Sequence, residues 1–117
     1  MSQNRPLKGI RVIDYSHFLA GPHMSRSLAA MGADVIKVER PRGGDAGRAH
    51  GYFKDGQSGY FLQQNMGKRG LCIDMKDQRG FDMMMKLVET ADVFVENYRP
   101  GALDKLGLGY EALSGLN

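Results

Sequence analysis

The chain has 117 residues, of which 42% are hydrophobic and 25% are charged, and this composition is typical of one globular domain rather than of a disordered chain. The formal charge of +3 comes from basic residues spread along the chain, so the basic stripe of a nucleic-acid-binding protein is missing. Cys72 is the lone cysteine, and no apolar run approaches the ~20 residues of a membrane span or forms a signal core. We therefore expect a cytoplasmic protein with no disulfide, no membrane contact and no nucleic-acid partner.

Short β-branched segments alternate with helical patterns along the chain. We predict strands over residues 10–14, 34–38, 71–75 and 92–96, and helices over residues 24–31, 78–90 and 100–106. Residues 40–65 carry glycines and aromatic pairs without a clear period, which is typical of a functional loop. The order of the elements predicts an α/β fold with a Rossmann-like, mostly parallel sheet and flanking helices, in a single domain over residues 1–117.

Apolar spacing assigns a buried face to each of the two longer helices. In the first helix, Met24, Leu28 and Met31 recur at helical spacing and predict the buried stripe, and Gly32 is placed to end the helix. The second helix has a core stripe of Phe81, Met84, Met85 and Val88. Cys72, between Leu71 and Ile73, is predicted to be a buried, inert thiol in a strand.

Each predicted strand ends in polar residues, and parallel strands end at the same edge of a sheet. The strand ends carry residues 14–17, 39–40, 74–76 and 96–99. Ligands of open α/β sheets bind just beyond such ends, and the planar guanidinium of Arg40 suits a phosphate. The residues therefore predict an anion site at this edge, with backbone N–H groups near Leu19 and Ala20 as further donors.

Several familiar chemistries are disfavoured by the residues themselves. A glycine-rich dinucleotide fingerprint and a P-loop are both missing after the first strand. Histidines 17, 23 and 50 lack zinc-like spacing, so we expect no metal site. Asp14 is interpreted as a structural strand-end residue, and we assign no catalytic residue in this chain.

Five segments, in order, resemble the N-terminal part of the class III (CaiB/BaiF-like) CoA-transferases. They are residues 6–14, the Ala-Gly-Pro loop at 20–22, residues 31–41 with the run Asp-Val-Ile-Lys-Val-Glu-Arg-Pro, residues 65–74, and residues 91–111 with Val-Glu-Asn-Tyr-Arg-Pro-Gly. The resemblance covers almost the whole chain. It implies that coenzyme A or an acyl-CoA is bound as a substrate, with no tightly bound cofactor, and that the protein is a homodimer or higher oligomer.

The same resemblance implies particular binding residues. Phe18, Leu19 and Ala20 would lie beside the CoA thioester, and Arg40 would bind the nucleotide end. The adenine and pantetheine track would be lined by Ile73, Asp74, Met75, Lys76, Asn97, Tyr98 and Arg99. Lys105 stands where the family has a basic residue for the CoA phosphates.

In that family the catalytic aspartate and a second domain lie downstream of the segments matched here. We therefore expect the chain to be the N-terminal, CoA-binding part of a larger CoA-transferase fold and to be inactive alone. Two alternatives remain open: a non-catalytic module that binds CoA, a nucleotide or a partner, and a fragment of an acyl-CoA racemase of the same superfamily, which would use acid–base proton transfer.

Overall fold

The computed structural model describes residues 4–117, which contain six strands and five α-helices. In chain order the elements are β1 (Arg11–Asp14), α1 (Ala20–Ala30), β2 (Asp34–Glu39), a 3₁₀ turn (Ala46–Ala49), β3 (Phe53–Lys54), β4 (Gln57–Ser58), α2 (Gly59–Gln64), β5 (Arg69–Cys72), α3 (Gln78–Glu89), β6 (Val93–Val95), α4 (Ala102–Lys105) and α5 (Tyr110–Leu116).

A four-stranded sheet in the order β5-β2-β1-β6 forms the centre of the fold. All three of its strand pairs are parallel, which confirms the predicted α/β class. The third strand of this sheet in chain order, β5, lies earlier than the predicted 71–75. The chain leaves the sheet after Cys72, where the Ile73 N–H donates to the Glu39 carbonyl at 3.0 Å, and it then turns into α3.

Residues 40–65 are more regular than the sequence predicted. Asp55 and Gly56, with φ of 51° and 75°, form the two-residue turn of a β3–β4 hairpin. Ser58 then caps α2, because its Oγ accepts from the Phe61 N–H at 3.1 Å. Such local turn and cap chemistry needs few apolar residues, so it leaves no periodic pattern to detect.

Helix α1 packs on the sheet through its small residues, and the predicted Met24 and Met31 face is wrong. Those two methionines are 48% and 42% exposed, whereas the buried residues of α1 are Gly21, Pro22, Ser25 and Ala29. Small side chains let the helix backbone lie close to the end of β1, so the two methionines are left outside, whereas Leu28 of the predicted stripe is partly buried against the smaller core. The predicted end of the helix is confirmed, since Gly32 has φ 106° and the Ala33 N–H donates to the Leu28 carbonyl.

The opposite face of the sheet holds the larger core, which α3 closes. Met84 and Val88 are 0% and 4% exposed and pack with Ile13 and Ile36 of the sheet, as the helical stripe predicted. Cys72 is exposed, because β5 is an edge strand of the sheet, so the prediction of a buried thiol is wrong. No helix in residues 4–117 has both the length and the apolarity needed to cross a membrane.

Candidate ligand site

A buried pair of opposite charges lies at the carboxyl ends of β1 and β2. The register pairs Asp14 with Lys37, just as it pairs Val12 with Val35 two residues earlier. Because side chains alternate along a strand, these four residues share the face that α1 covers. Asp14 and Lys37 are 0% and 2% exposed, and Nζ of Lys37 lies 4.0 Å from Oδ2 of Asp14.

Asp14 is saturated with hydrogen bonds. Its carboxylate accepts from the Ser16 N–H at 3.0 Å, from the Ser16 hydroxyl, from the Ser25 hydroxyl at 2.6 Å and from Nζ of Lys68 at 2.8 Å. Burial by itself would raise the pKa of Asp14, but the Lys37 and Lys68 ammonium groups and these hydrogen bonds hold that pKa below its ordinary value. Asp14 is therefore a structural anion with no lone pair directed at a ligand.

Lys37 reaches across to a second buried carboxylate, Asp45, which precedes the 3₁₀ turn. Nζ of Lys37 lies 2.8 Å from Oδ2 of Asp45, and both side chains are at most 3% exposed. The other oxygen of Asp45 accepts from the N–H groups of Phe18 and Gly47, both at 2.8 Å. Burial would raise the pKa of Asp45, but the adjacent Lys37 ammonium and the hydrogen bonds from these two amides lower it.

Glu39, at the end of β2, is the third carboxylate of the region, and it is neutralised by Arg48. The Arg48 guanidinium donates to both Glu39 oxygens at 2.7 and 2.8 Å and lies 3.7 Å over the Phe61 ring. Oε2 of Glu39 also accepts from the Asp45 N–H at 2.8 Å. These contacts dock the segment 45–61 onto the end of the sheet.

Arg40, which follows β2, is exposed and has no carboxylate partner in this network. It lines a cavity of about 210 Å³ together with His17, Gly44, Asp45 and Tyr98. Its Nε donates to the Gly44 carbonyl at 3.2 Å. Its two terminal amino groups have no protein partner among residues 4–117. A guanidinium held by one nitrogen, with its outer fork free, is the arrangement that binds a phosphate or carboxylate.

Another side of the cavity is formed where residues that follow β1 contact residues that follow β6. Asn97 accepts from the His17 N–H at 3.0 Å and donates to the His17 carbonyl at 2.8 Å. The rings of His17 and Tyr98 are 4.4 Å apart, and burial raises the pKa of Tyr98 to about 12. Nδ1 of His17 is buried without a hydrogen-bond partner in the described residues.

The structure brings some of the sequence-predicted residues to this cavity. Arg40 and Tyr98 line it, and Asn97 braces its wall. The predicted first loop is adjacent, since the Phe18 N–H is bound by Asp45. Leu19 is half exposed and precedes α1, whose first residue is Ala20.

Other predicted residues lie elsewhere. Ile73 is 3% exposed and packs in the larger core, so its side chain is turned from solvent. The segment 74–76 forms the turn before α3, where the Asp74 carboxylate accepts from the Lys76 N–H at 2.9 Å, and Met75 packs against the core. Lys105 is exposed on α4. Arg99 lines a separate, open cavity of about 630 Å³ between α3, β6 and α5.

Sequence reasoning did not identify the roles of His17, Lys37, Gly44 and Asp45. A signal existed for Lys37, because a lysine inside an otherwise apolar strand must find a buried partner. The partner, Asp45, comes from a glycine loop eight residues later, and no spacing rule predicts that contact. Within residues 4–117, no three His, Cys, Asp or Glu side chains are grouped so as to hold a metal ion.

Residues 7–117 match the sequence profile of CoA-transferase family III. Among curated proteins, the chain is 46% identical over 108 residues to the succinyl-CoA:glutarate CoA-transferase of Mus musculus and 47% identical over 119 residues to the succinate–glutarate CoA-transferase of Agrobacterium fabrum. It is 40% identical over 116 residues to a formyl-CoA:oxalate CoA-transferase of Rhodopseudomonas palustris. These matches cover 92%, 96% and 97% of this chain.

Solved structures of similar proteins share the fold. A CaiB/BaiF family protein from Brucella suis superposes with a TM-score of 0.90 at 42% identity, over 98% of this chain and 32% of its own. A Mycobacterium tuberculosis protein superposes with a TM-score of 0.86 at 40% identity, over 97% of this chain and 32% of its own. The chain spans 25–30% of the length of the three curated relatives named above. Sequence and fold agree, and the chain belongs to CoA-transferase family III.

Proposed function

We propose that this chain forms the coenzyme A-binding part of a CoA-transferase that moves CoA between carboxylic acids. The observation that carries the proposal is the free outer fork of Arg40 in a cavity at the carboxyl ends of β1, β2 and β6. Coenzyme A has phosphates at its nucleotide end, and a guanidinium fork binds such groups with two charge-assisted hydrogen bonds. The three curated relatives above bear the names of CoA-transferases, which favours a transferase over a racemase.

In this proposal the described residues bind coenzyme A, but they do not catalyse its transfer. The carboxylates nearest the cavity, Asp14, Glu39 and Asp45, are each held in an ion pair with a lysine or arginine. A carboxylate that attacks a thioester needs an exposed oxygen whose lone pair is free. In this proposal the residue that carries the acyl group lies downstream of the described segments, which is what the family resemblance implies.

Calorimetric titration of the chain with coenzyme A at low salt tests the proposal. We expect saturable binding, weakened roughly 10- to 100-fold by Arg40→Gln, because charge-assisted hydrogen bonds are worth about 1.5–3 kcal/mol. Arg42→Gln is the matched control, since this exposed arginine of the same loop does not line the cavity. Equal losses in both variants, or no loss with Arg40→Gln, would contradict the assignment.

The same preparations also test the second half of the proposal. When a succinyl-CoA or formyl-CoA donor is added with a second, free carboxylic acid, the chain should form no acyl-CoA of that acid. Acyl-CoA turnover that copurifies with the chain and disappears with Arg40→Gln would show that these residues catalyse transfer.

A further inference from the structure

We propose that Asp45 is the positioning residue of this ligand site: it holds, through one carboxylate, both the loop that seats Arg40 and the loop that ends β1. The inference rests on the proposed function, because coenzyme A binding at Arg40 is one of its readouts. Asp45 lines the cavity but affects ligand binding through the residues that it holds in place.

Asp45 connects three separate segments of the chain. Oδ1 accepts from the Phe18 N–H in the β1–α1 loop and from the Gly47 N–H in the 3₁₀ turn, both at 2.8 Å. Oδ2 lies 2.8 Å from Nζ of Lys37 on β2. The side chain of Asp45 is 1% exposed, so water does not replace any of these contacts and each one constrains the loops directly.

The Arg40 side chain is held by the carbonyl group of Gly44, the residue immediately before Asp45. Nε of Arg40 donates to the Gly44 carbonyl at 3.2 Å. Gly44 has φ 61°, and a Cβ at this position would overlap with Oε2 of Glu39. The loop is therefore tightly packed at Gly44. A shift of Asp45 must also move the Gly44 carbonyl, and the Arg40 guanidinium that is bound to it moves as well.

The first loop is held in an uncommon conformation by the same carboxylate. Phe18 has φ 69°, a backbone conformation that bulky residues seldom adopt. Its N–H is bound by Asp45, and its carbonyl accepts from the Tyr60 hydroxyl at 3.3 Å. Such strain persists only where the surroundings enforce it, and here Asp45 supplies the shorter of the two contacts.

A negative charge is needed at this position. An asparagine would keep the size of the side chain but would lose the ion pair to Lys37 and turn an amide group toward a buried ammonium. Asp14, 4.0 Å from Lys37, already serves Ser16, Ser25 and Lys68 and cannot replace Asp45. We therefore expect Asp45→Asn to release the Phe18 and Gly44 segments together.

A double-mutant cycle on coenzyme A binding, with Arg40→Gln and Asp45→Asn, tests the proposal. Asp45→Asn should weaken binding about tenfold, within the range of couplings between residues that share a network. The double variant should bind no more than about twofold weaker than Arg40→Gln alone, because the interaction through which Asp45 acts is already lost. Losses that multiply, or no loss with Asp45→Asn, would overturn the proposal.

Two further variants separate positioning from stability. Asp77→Asn is the matched control, since Asp77 likewise accepts a backbone N–H, that of Arg79 at 2.9 Å, but caps α3 outside the cavity; it should leave the affinity unchanged. If Asp45→Asn does not fold, Lys37→Gln combined with Asp45→Asn replaces it in the cycle, because both buried charges are then removed together.

A structural readout keeps this inference separate from the proposed function. In the ligand-free chain, Asp45→Asn should shift the amide NMR signals of Phe18 and Gly47 and the Nε signal of Arg40. Asp77→Asn should shift none of the three. If the unsubstituted chain does not bind coenzyme A, the proposed function fails, and these signals still decide the role of Asp45; an unmoved Arg40 signal would refute it.

Discussion

At the scale of single residues, the end of the sheet is organised by charges that are buried in pairs. Asp14 is 0% exposed and has two ammonium groups nearby, those of Lys68 at 2.8 Å and Lys37 at 4.0 Å. A buried ion pair adds little net stability compared with an apolar pair, but removing one partner leaves a charge without compensation. Any other arrangement of the loops that separates these partners would therefore leave a buried charge uncompensated.

Neutralising Asp14 should be costly. We expect Asp14→Asn to lower the free energy of unfolding by about 3–5 kcal/mol, because two buried lysines lose their shared anion. Urea denaturation followed by circular dichroism measures the effect. The matched control is Asp34→Asn, whose carboxylate pairs with Arg11 and Arg69 but is 37% exposed, and whose loss should cost less than about 1 kcal/mol. Similar costs for the two variants would contradict the role of the Asp14 network.

At the scale of elements, the position of α1 depends on its small residues, which let the helix lie close to the end of β1. A Cβ on Gly21 would overlap with Cβ and Oγ of Ser16, and Ser16 is itself fixed by its hydrogen bonds to Asp14. The close approach of α1 brings the Ser25 hydroxyl within 2.6 Å of the Asp14 carboxylate. The first turn of α1 and the polar network are therefore parts of one packed unit.

Adding one methyl group at this contact should separate the helix from the sheet. We expect Gly21→Ala to destabilise the chain by about 1–3 kcal/mol through overpacking. Gly115→Ala is the control: this glycine lies within α5 and a Cβ there meets nothing within 4 Å, so alanine should stabilise by up to about 1 kcal/mol. Thermal unfolding of both variants gives the comparison, and a neutral Gly21→Ala would show that α1 can move outward freely.

At the scale of the whole molecule, the two faces of the sheet do different work. The face covered by α3 holds the larger apolar core, which includes Ile13, Met84 and Leu108. The face covered by α1 has a smaller core of Val12, Ala29, Ala33, Val35 and Val95 and continues into the charged network. The first face supplies most of the apolar burial, and the second adds the buried charges whose pairing holds the loops of the ligand site.

The paired carboxylates of the charged network predict a marked loss of stability in acid. The carboxyl groups of Asp14, Glu39 and Asp45 all have pKa values lowered in the folded chain. Their contribution is complete above the unfolded pKa of about 4 and is lost as the pH falls through the lowered folded values. The urea midpoint should therefore be nearly constant from about pH 7 to pH 5 and fall steeply below about pH 4. A midpoint that stays level to about pH 3 would contradict this prediction.

Local patterns in the chain were sufficient to predict most of the sheet and one helix face. Continuous apolar runs identified β1, β2 and β6 to within one residue or two, because parallel strands covered by helices are largely apolar. Helical spacing identified Met84 and Val88 as core. It failed for Met24 and Met31 of α1, because small residues pack against the sheet there and a hydrophobicity pattern favours large ones.

By itself, then, the sequence determined the family, the parallel α/β class and Arg40 at a strand end, since each depends on residues that are near one another in the chain. Tertiary structure alone decided that Lys37 pairs with Asp45, that Asp14 is shared by Lys37 and Lys68, and that the outer fork of Arg40 stays free. These contacts join separate segments across the sheet edge, and burial sets which charges must be paired. No spacing in the chain encodes them, because they exist only once α1 and the segment 45–61 have docked on the sheet.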